Sequence, residues 1–274
     1  MNYNTLILSG GSICTLKTLG AIQCLMDNNA IDDVNTISGS SAGAMIAYLI
    51  CIGYTPTEII LYLCTHNIFD HVKSLDIVSM INGSGAISFA GFHEHLEMMT
   101  INKIGRLVTF KDVYEKFGKR LVMTTYNYSK KCMEVLDHEH TPDMPCLVGI
   151  HMSCCLPFIF NMYKYNNSFY LDGGICDDMP LHLIRREDSK ILGIYIDLCQ
   201  EQDEEKYPDS NIEFLYKLLL IPREYKVHED ERDTDIIKLS SNIETFFRYQ
   251  MNVVEKLKMF SDGYQQAKEF ITKF

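Results

Sequence analysis

The chain lacks several features that would each point to a protein class. No apolar run reaches the roughly 20 residues that a bilayer-spanning helix needs; the longest, Ala44 to Tyr54, stops well short. The amino terminus has no basic region, and its brief apolar stretch meets Gly10-Gly11, so it is a poor secretory signal. Positive charge is scarce, with 25 Lys and Arg against 36 Asp and Glu for a net charge of −11. That balance argues against a nucleic-acid partner, because neutralising phosphates takes clustered Lys and Arg. It also disfavours long-range attraction to strongly anionic membranes, while leaving peripheral contact with a neutral or zwitterionic lipid surface open. Internal repeats, low-complexity tracts and interdomain linkers are missing, and a single domain over residues 1–274 is the simplest reading. Cysteine is the exception, with ten, yet no pair has CxxC spacing and most lie in apolar segments, as at Cys24, Cys51, Cys64, Cys154 and Cys155. Reduced core thiols in a cytoplasmic protein are expected, and the sequons at Asn82, Asn127 and Asn166 are then incidental.

What is present is a strand, a tight turn and a helix, twice in succession. Thr5 to Ser9 reads as a buried strand ending at Gly10-Gly11, and Ile13 to Asp27 carries Leu16, Leu19, Ile22, Leu25 and Met26 at helical spacing. Ser12 is placed to cap that helix, leaving backbone N–H groups near Gly11 and Ser12 facing outward. Val34 to Ser38 forms a second strand, followed by a tight turn and a helix from Ala42 to about Ile52. Two such units imply an α/β fold with a mostly parallel sheet. Helices are expected over Thr57–Cys64, Phe92–Met99 and Cys146–Ser153. Arg120–Tyr126 with Cys132–Leu136 reads as a strand pair, Phe169–Leu171 as a strand, and Ile191–Leu198 as a central strand. Glu201 to Asp235 reads as acidic surface excursions around a short helix. Glu244 to Phe274 reads as one amphipathic helix packing through Phe247, Met251, Val254, Leu257, Phe260, Tyr264, Ala267 and Ile271.

The second turn carries the chemistry. Gly39-Ser40-Ser41-Ala42-Gly43 sets a serine between two glycines at a strand-to-helix junction, the pattern of a nucleophile elbow, and the missing Cβ atoms relieve crowding around Ser41. A serine nucleophile needs a base. Asp172 follows an apolar strand and precedes Gly173-Gly174, and carboxyl ends of strands are where α/β folds assemble sites. On residue chemistry alone a plain turn aspartate is an equal reading of Asp172.

Three features occur in one order: the glycine turn Gly10-Gly11-Ser12, the elbow at Ser41, and Asp172-Gly173-Gly174. In that order they resemble the patatin-like phospholipase family. The stretch Met152 to Phe160 and the Met179-Pro180 ending are similar to the family as well, so that residues 5–198 are covered. The resemblance implies a three-layer α/β/α fold, a Ser41 and Asp172 dyad, and an oxyanion hole at Gly10, Gly11 and Ser12. It also implies hydrolysis of an acyl lipid ester through an acyl-enzyme, with no cofactor and no metal. One departure is plain: the family's loop reads three glycines, a variable residue, a basic residue and a glycine, whereas Ser12, Cys14 and Thr15 stand at the third, basic and closing positions.

Competing readings can be named. A Ser-His-Asp esterase would draw on His182 or His228, although several strands normally precede the elbow in that fold and only two do here. Asp137-His138-Glu139-His140 and His93-Glu94-His95 gather ligand-type residues without HExxH spacing. The departure at Cys14 raises a lipid- or protein-binding module without catalysis. Segments Thr57–Thr109 and Glu201–Asp235 are candidates to cover the entrance, with Phe69, Phe89 and Phe92 as acyl contacts or core residues.

Overall fold

The computed structural model describes residues 3–66, 68, 87–198, 214, 218, 234–246 and 248–273. Its centre is a mixed sheet in the order β5-β6-β3-β2-β1-β7-β8, with β4 paired to β3. The strands are β1 Thr5–Leu8, β2 Thr36–Gly39, β3 Arg120–Asn127, β4 Cys132–Leu136, β5 Tyr163–Tyr165, β6 Ser168–Asp172, β7 Ile191–Asp197 and β8 Asp235–Ser240. The β3-β2-β1-β7-β8 run is parallel, and β4, β6 and β5 join it antiparallel.

Alternation along β1 shows why both faces must be covered. Leu6 and Leu8 enter the larger core with helix α1 (Leu16–Asp27) and helix α2 (Ala42–Cys51), while Ile7 points the other way. There it packs with Val122, Met179, Leu181, Ile184, Ile191 and Tyr195. A strand so placed is buried on both sides, hence its unbroken apolar run. The sheet lies between helical layers, as the α/β/α reading expects.

The remaining helices are α3 (Pro56–Thr65), α4 (Ala90–Ile104), α5 (Phe110–Phe117), α6 (Cys146–Ser153), α7 (Leu181–Ile184), α8 (Ile243–Phe246) and α9 (Val253–Ile271). Capping boxes open α3 at Thr55, α5 at Thr109 and α9 at Asn252. Among the described residues no single helix is long and apolar enough to cross a membrane. The nine described cysteines are free thiols.

The carboxyl-terminal region departs from its sequence reading. The expected single helix is two, because Asn252 caps α9 with its side chain on the Glu255 amide and so starts a new helix there. The buried face of α9 is Lys256, Met259, Gly263 and Ala267, and the expected Val254 and Leu257 lie outward at 75% and 43% exposure. Small residues set that face: a Cβ on Gly20 of α1 would lie 1.9 Å from the Phe260 carbonyl oxygen, and one on Gly263 would lie 2.0 Å from that of Lys17. The backbones therefore touch there, and Met251, Phe260, Tyr264, Ala267 and Ile271 of the expected stripe pack on the core beside them. Strand β8 also went unread, because Asp235 to Ser240 mixes charged and apolar residues after an acidic run. Phe247 and most of the Glu201–Asp235 stretch lie outside the described residues.

Candidate active site

The elbow is built by close backbone approach. A Cβ on Gly43 would stand 2.5 Å from the carbonyl oxygens of both Leu8 and Ser9, and one on Gly39 would stand 2.3 Å from that of Gly43. Glycine at both places lets α2 start directly against the end of β1. Ser41 takes φ 53° and ψ −126°, a conformation that costs a non-glycine residue on the order of 1–3 kcal/mol and must be held by its surroundings. One holder is Ser153 at the end of α6, whose Oγ accepts the Ser41 N–H at 3.0 Å. The Ser41 side chain thereby sits at the amino-terminal end of α2, where the helix dipole is positive.

The glycine turn lies alongside. A Cβ added to Gly10 would be 3.0 Å from the Ser41 Cβ. The Gly10 N–H is already engaged, donating to Asp178 Oδ1 at 2.7 Å, which leaves the Gly11 and Ser12 amides as the candidate oxyanion donors. Gly11 adopts φ 155° against the Ile196 side chain, and Ser12 adopts φ 52°. Ser12 does not cap the following helix. Residues Ser12–Thr15 form a 3-10 turn entered from Gly11, and the Ser12 hydroxyl instead donates to the Tyr249 hydroxyl at 3.0 Å.

Asp172 ends β6 opposite Thr125 of β3, and it is 2% exposed. Its amide donates to the Cys155 carbonyl at 3.0 Å and its carboxylate accepts the Gly174 N–H at 2.8 Å. Asp178, 3% exposed, presents a second carboxylate to the same turn: a Cβ on Gly174 would meet Asp178 Oδ1 at 2.8 Å and Asp172 Oδ1 at 3.2 Å. Cys154 joins Ser41 and Asp172, since its thiol contacts the Ser41 side chain and lies in the field of the Asp172 carboxylate. Burial, reinforced by that carboxylate, holds the Cys154 thiol well above its ordinary range, so it stays protonated and is not a competing nucleophile.

Comparison with known proteins gives the family. The family model described as patatin-like phospholipase matches residues 6–184. The chain belongs to the patatin-like phospholipase family. It is 35% identical over 187 residues to the "Probable lipid hydrolase 463L" of Invertebrate iridescent virus 6, covering 66% of this chain and 63% of that protein. An uncharacterised protein of Acanthamoeba polyphaga mimivirus is 26% identical over 289 residues, covering 98% of this chain and 93% of its own. Among solved structures, VipD from Legionella pneumophila superposes with a TM-score of 0.67 at 15% identity, covering 99% of this chain and 67% of that one.

Behind the patatin-like elbow opens an apolar cavity of about 130 Å³. Ser41 and Ser12 stand on its wall, as do Met45, Ile46 and Leu49 along α2 and Phe92 and Leu96 of α4. Of the expected acyl contacts, Phe92 lines the cavity. Phe89 lies behind it, its ring 5.8 Å from Phe92 and 4.2 Å from His151. Phe69 lies outside the described residues. Burial first, then the nearby His93, lowers His151 to about 4, so this histidine packs as a neutral ring at neutral pH.

The histidines and ligand-type clusters of the competing readings are placed as follows. His182 faces Asp177, with Nδ1 3.6 Å from Oδ2 and a side chain 64% exposed, and His228 lies outside the described residues. On α4, His95 Nδ1 meets the Tyr62 hydroxyl at 2.9 Å. Asp137, Glu139 and His140 do gather ligand-type atoms within 4.8 Å of one another. Two guanidinium groups occupy that cluster, however: Arg120 is 2.7 Å from Asp137 Oδ2 and Arg186 is 2.6 Å from Glu139. The arrangement is a network of ion pairs. Ser153, Asp178 and Tyr249 went unrecognised as site residues because their partners are remote in sequence.

Proposed function

We propose that this protein hydrolyses carboxylic esters of acyl lipids by a two-step acyl transfer. Ser41 attacks the ester carbonyl while Asp172 takes its proton, the oxyanion rests against the Gly11 and Ser12 amides, and the alcohol leaves with the proton from Asp172 as the acyl-enzyme forms; water, giving a proton to Asp172, then attacks the acyl carbon and releases the fatty acid as the proton returns to Ser41. The observation that carries this reading is the strained Ser41 turn opening onto an apolar cavity, with the turn of buried Asp172 packed beside it. Family membership and a viral relative named as a lipid hydrolase support the reaction class. Each amide donor in such a hole is worth about 2.7–4 kcal/mol of barrier. The matched region spans 63% of that relative, so its activity is carried here as a proposal.

The test compares wild type, Ser41→Ala and Asp172→Asn on medium-chain esters, with fluorophosphonate labelling in parallel. The expectation is a labelled wild type, an unlabelled Ser41→Ala protein, and hydrolysis reduced by at least a thousandfold in both variants, as about 4 kcal/mol or more of lost barrier reduction implies. Folded variants that hydrolyse as fast as wild type would overturn the dyad.

A further inference from the structure

The oxyanion loop departs from its family where the third glycine is expected, and the structure gives that departure a partner. Ser12 holds φ 52°, in the left-handed region where a side chain is disfavoured and glycine is not. Within the loop the Thr15 hydroxyl donates to the Ser12 carbonyl at 2.7 Å, and a second hold reaches Ser12 from outside it. The Ser12 hydroxyl donates to the Tyr249 hydroxyl at 3.0 Å, across 237 residues of sequence. Tyr249 is 8% exposed and, with Phe246 of α8, lines the cavity beside Ser12. The same segment makes a second contact, from the Ser241 hydroxyl to the Cys14 thiol at 3.1 Å, at the position where the family carries a basic residue. The two unusual loop residues are therefore both met by the stretch between β8 and α9.

We propose that Tyr249 is a positioning residue that clasps Ser12 in its left-handed conformation and so aims the Gly11 and Ser12 amides at the substrate carbonyl. In this chain a tyrosine from the carboxyl-terminal segment replaces what a third glycine supplies through freedom of φ. This inference rests on the acyl-transfer reading of Ser41. The clasp is dry: burial pushes the Tyr249 hydroxyl up to about 12, so it remains protonated and able to accept from Ser12 throughout the neutral range. Its effect on the reaction passes through the loop.

A double-mutant cycle tests it with Tyr249→Phe, Ser12→Gly and the pair, measured on a medium-chain ester with Ser41→Ala as the control. Phenylalanine keeps the ring in the cavity wall and removes only the hydroxyl. Tyr249→Phe alone is expected to lower kcat about three- to tenfold with KM unchanged, the loss of one neutral hydrogen bond. In the Ser12→Gly background the same change is expected to alter kcat by less than about twofold, because glycine reaches this φ unaided. Thermal unfolding of each protein separates rate effects from loss of fold. Equal losses in both backgrounds, or no loss in the first, would overturn the clasp while leaving the Ser41 mechanism standing. Hydrolysis that survives Ser41→Ala would overturn the mechanism, and the clasp with it.

Discussion

Helix α2 offers a ruler for the acyl chain. Met45, Ile46 and Leu49 line the cavity that begins at Ser41, on successive turns of the same helix. At 1.5 Å of rise per residue, the wall from Ser41 to Leu49 is about 12 Å long. That length accommodates roughly ten carbons of an extended chain with bonds of about 1.5 Å in zigzag. Each buried methylene contributes about 0.8 kcal/mol, or roughly fourfold in kcat/KM. Lengthening an ester from four to eight acyl carbons should therefore raise kcat/KM by about 3 kcal/mol, some two-hundredfold, before the gain levels off near ten. Leu49 is 5% exposed at the far end of this row. Leu49→Phe fills that end and should bring the plateau two or three carbons earlier, leaving the four-carbon ester within about twofold of wild type. The larger ring costs about 1–3 kcal/mol of overpacking, so thermal unfolding is followed alongside. The assay is a series of p-nitrophenyl esters of increasing chain length. A shared optimum for wild type and Leu49→Phe, in two folded proteins, would refute the assignment of α2 as the acyl wall.

The other predictions concern the turn, the ion pair and the second aspartate. Gly43→Ala forces a Cβ to 2.5 Å from two backbone oxygens and should cost at least about 3 kcal/mol, whereas Gly118→Ala, with φ 63° and open space, should cost about 1 kcal/mol; chemical denaturation distinguishes them. Arg120→Met strands the buried Asp137 carboxylate and should cost about 3–5 kcal/mol, with much of the loss restored by adding Asp137→Leu. Burial alone would raise the Asp137 carboxyl, but hydrogen bonds from the His140 amide and ring and from Arg120 outweigh it and hold it below its ordinary value. The wild-type stability from this group is thus fully present above pH about 4 and is lost as pH falls through the lower native value; acid titration of the unfolding midpoint should show this limb weakened in Arg120→Met. Asp178→Ala removes the 2.7 Å acceptor that fixes the Gly10 amide at the start of the oxyanion loop and should lower kcat about ten- to a hundredfold, while Asp178→Asn, which still offers an oxygen, should retain most activity; equal losses in steady-state assays would count against Asp178 holding the loop through this bond.

How far the site was legible from sequence follows from how far its contacts reach along the chain. The Ser41 turn could be read because its cause is local: two glycines and a serine where a strand gives way to a helix. The parallel units around β1 and β2 were visible for the same reason, since a buried strand and the helix after it each leave their own period. The hydrogen bonds that hold the turns leave no such trace. Ser153 lies 112 residues from Ser41, Asp178 lies 168 from Gly10, and Tyr249 lies 237 from Ser12. No period connects them, and each alone is an ordinary polar residue near a helix end or loop. Strand β8 was missed because Asp235 and Lys238 interrupt its apolar pattern. Helix α9 was read on its packed face through Phe260, Tyr264, Ala267 and Ile271, but its closest contact, at Gly263, was missed because a glycine adds nothing to an apolar stripe. The same reasoning bears on the loop. Ser12 and Cys14 look like losses when judged against neighbours in sequence, yet both meet residues from the far end of the chain. A motif departure at a strained turn therefore has to be judged against what packs on it, because the conformation that glycine supplies from within can also be held from outside.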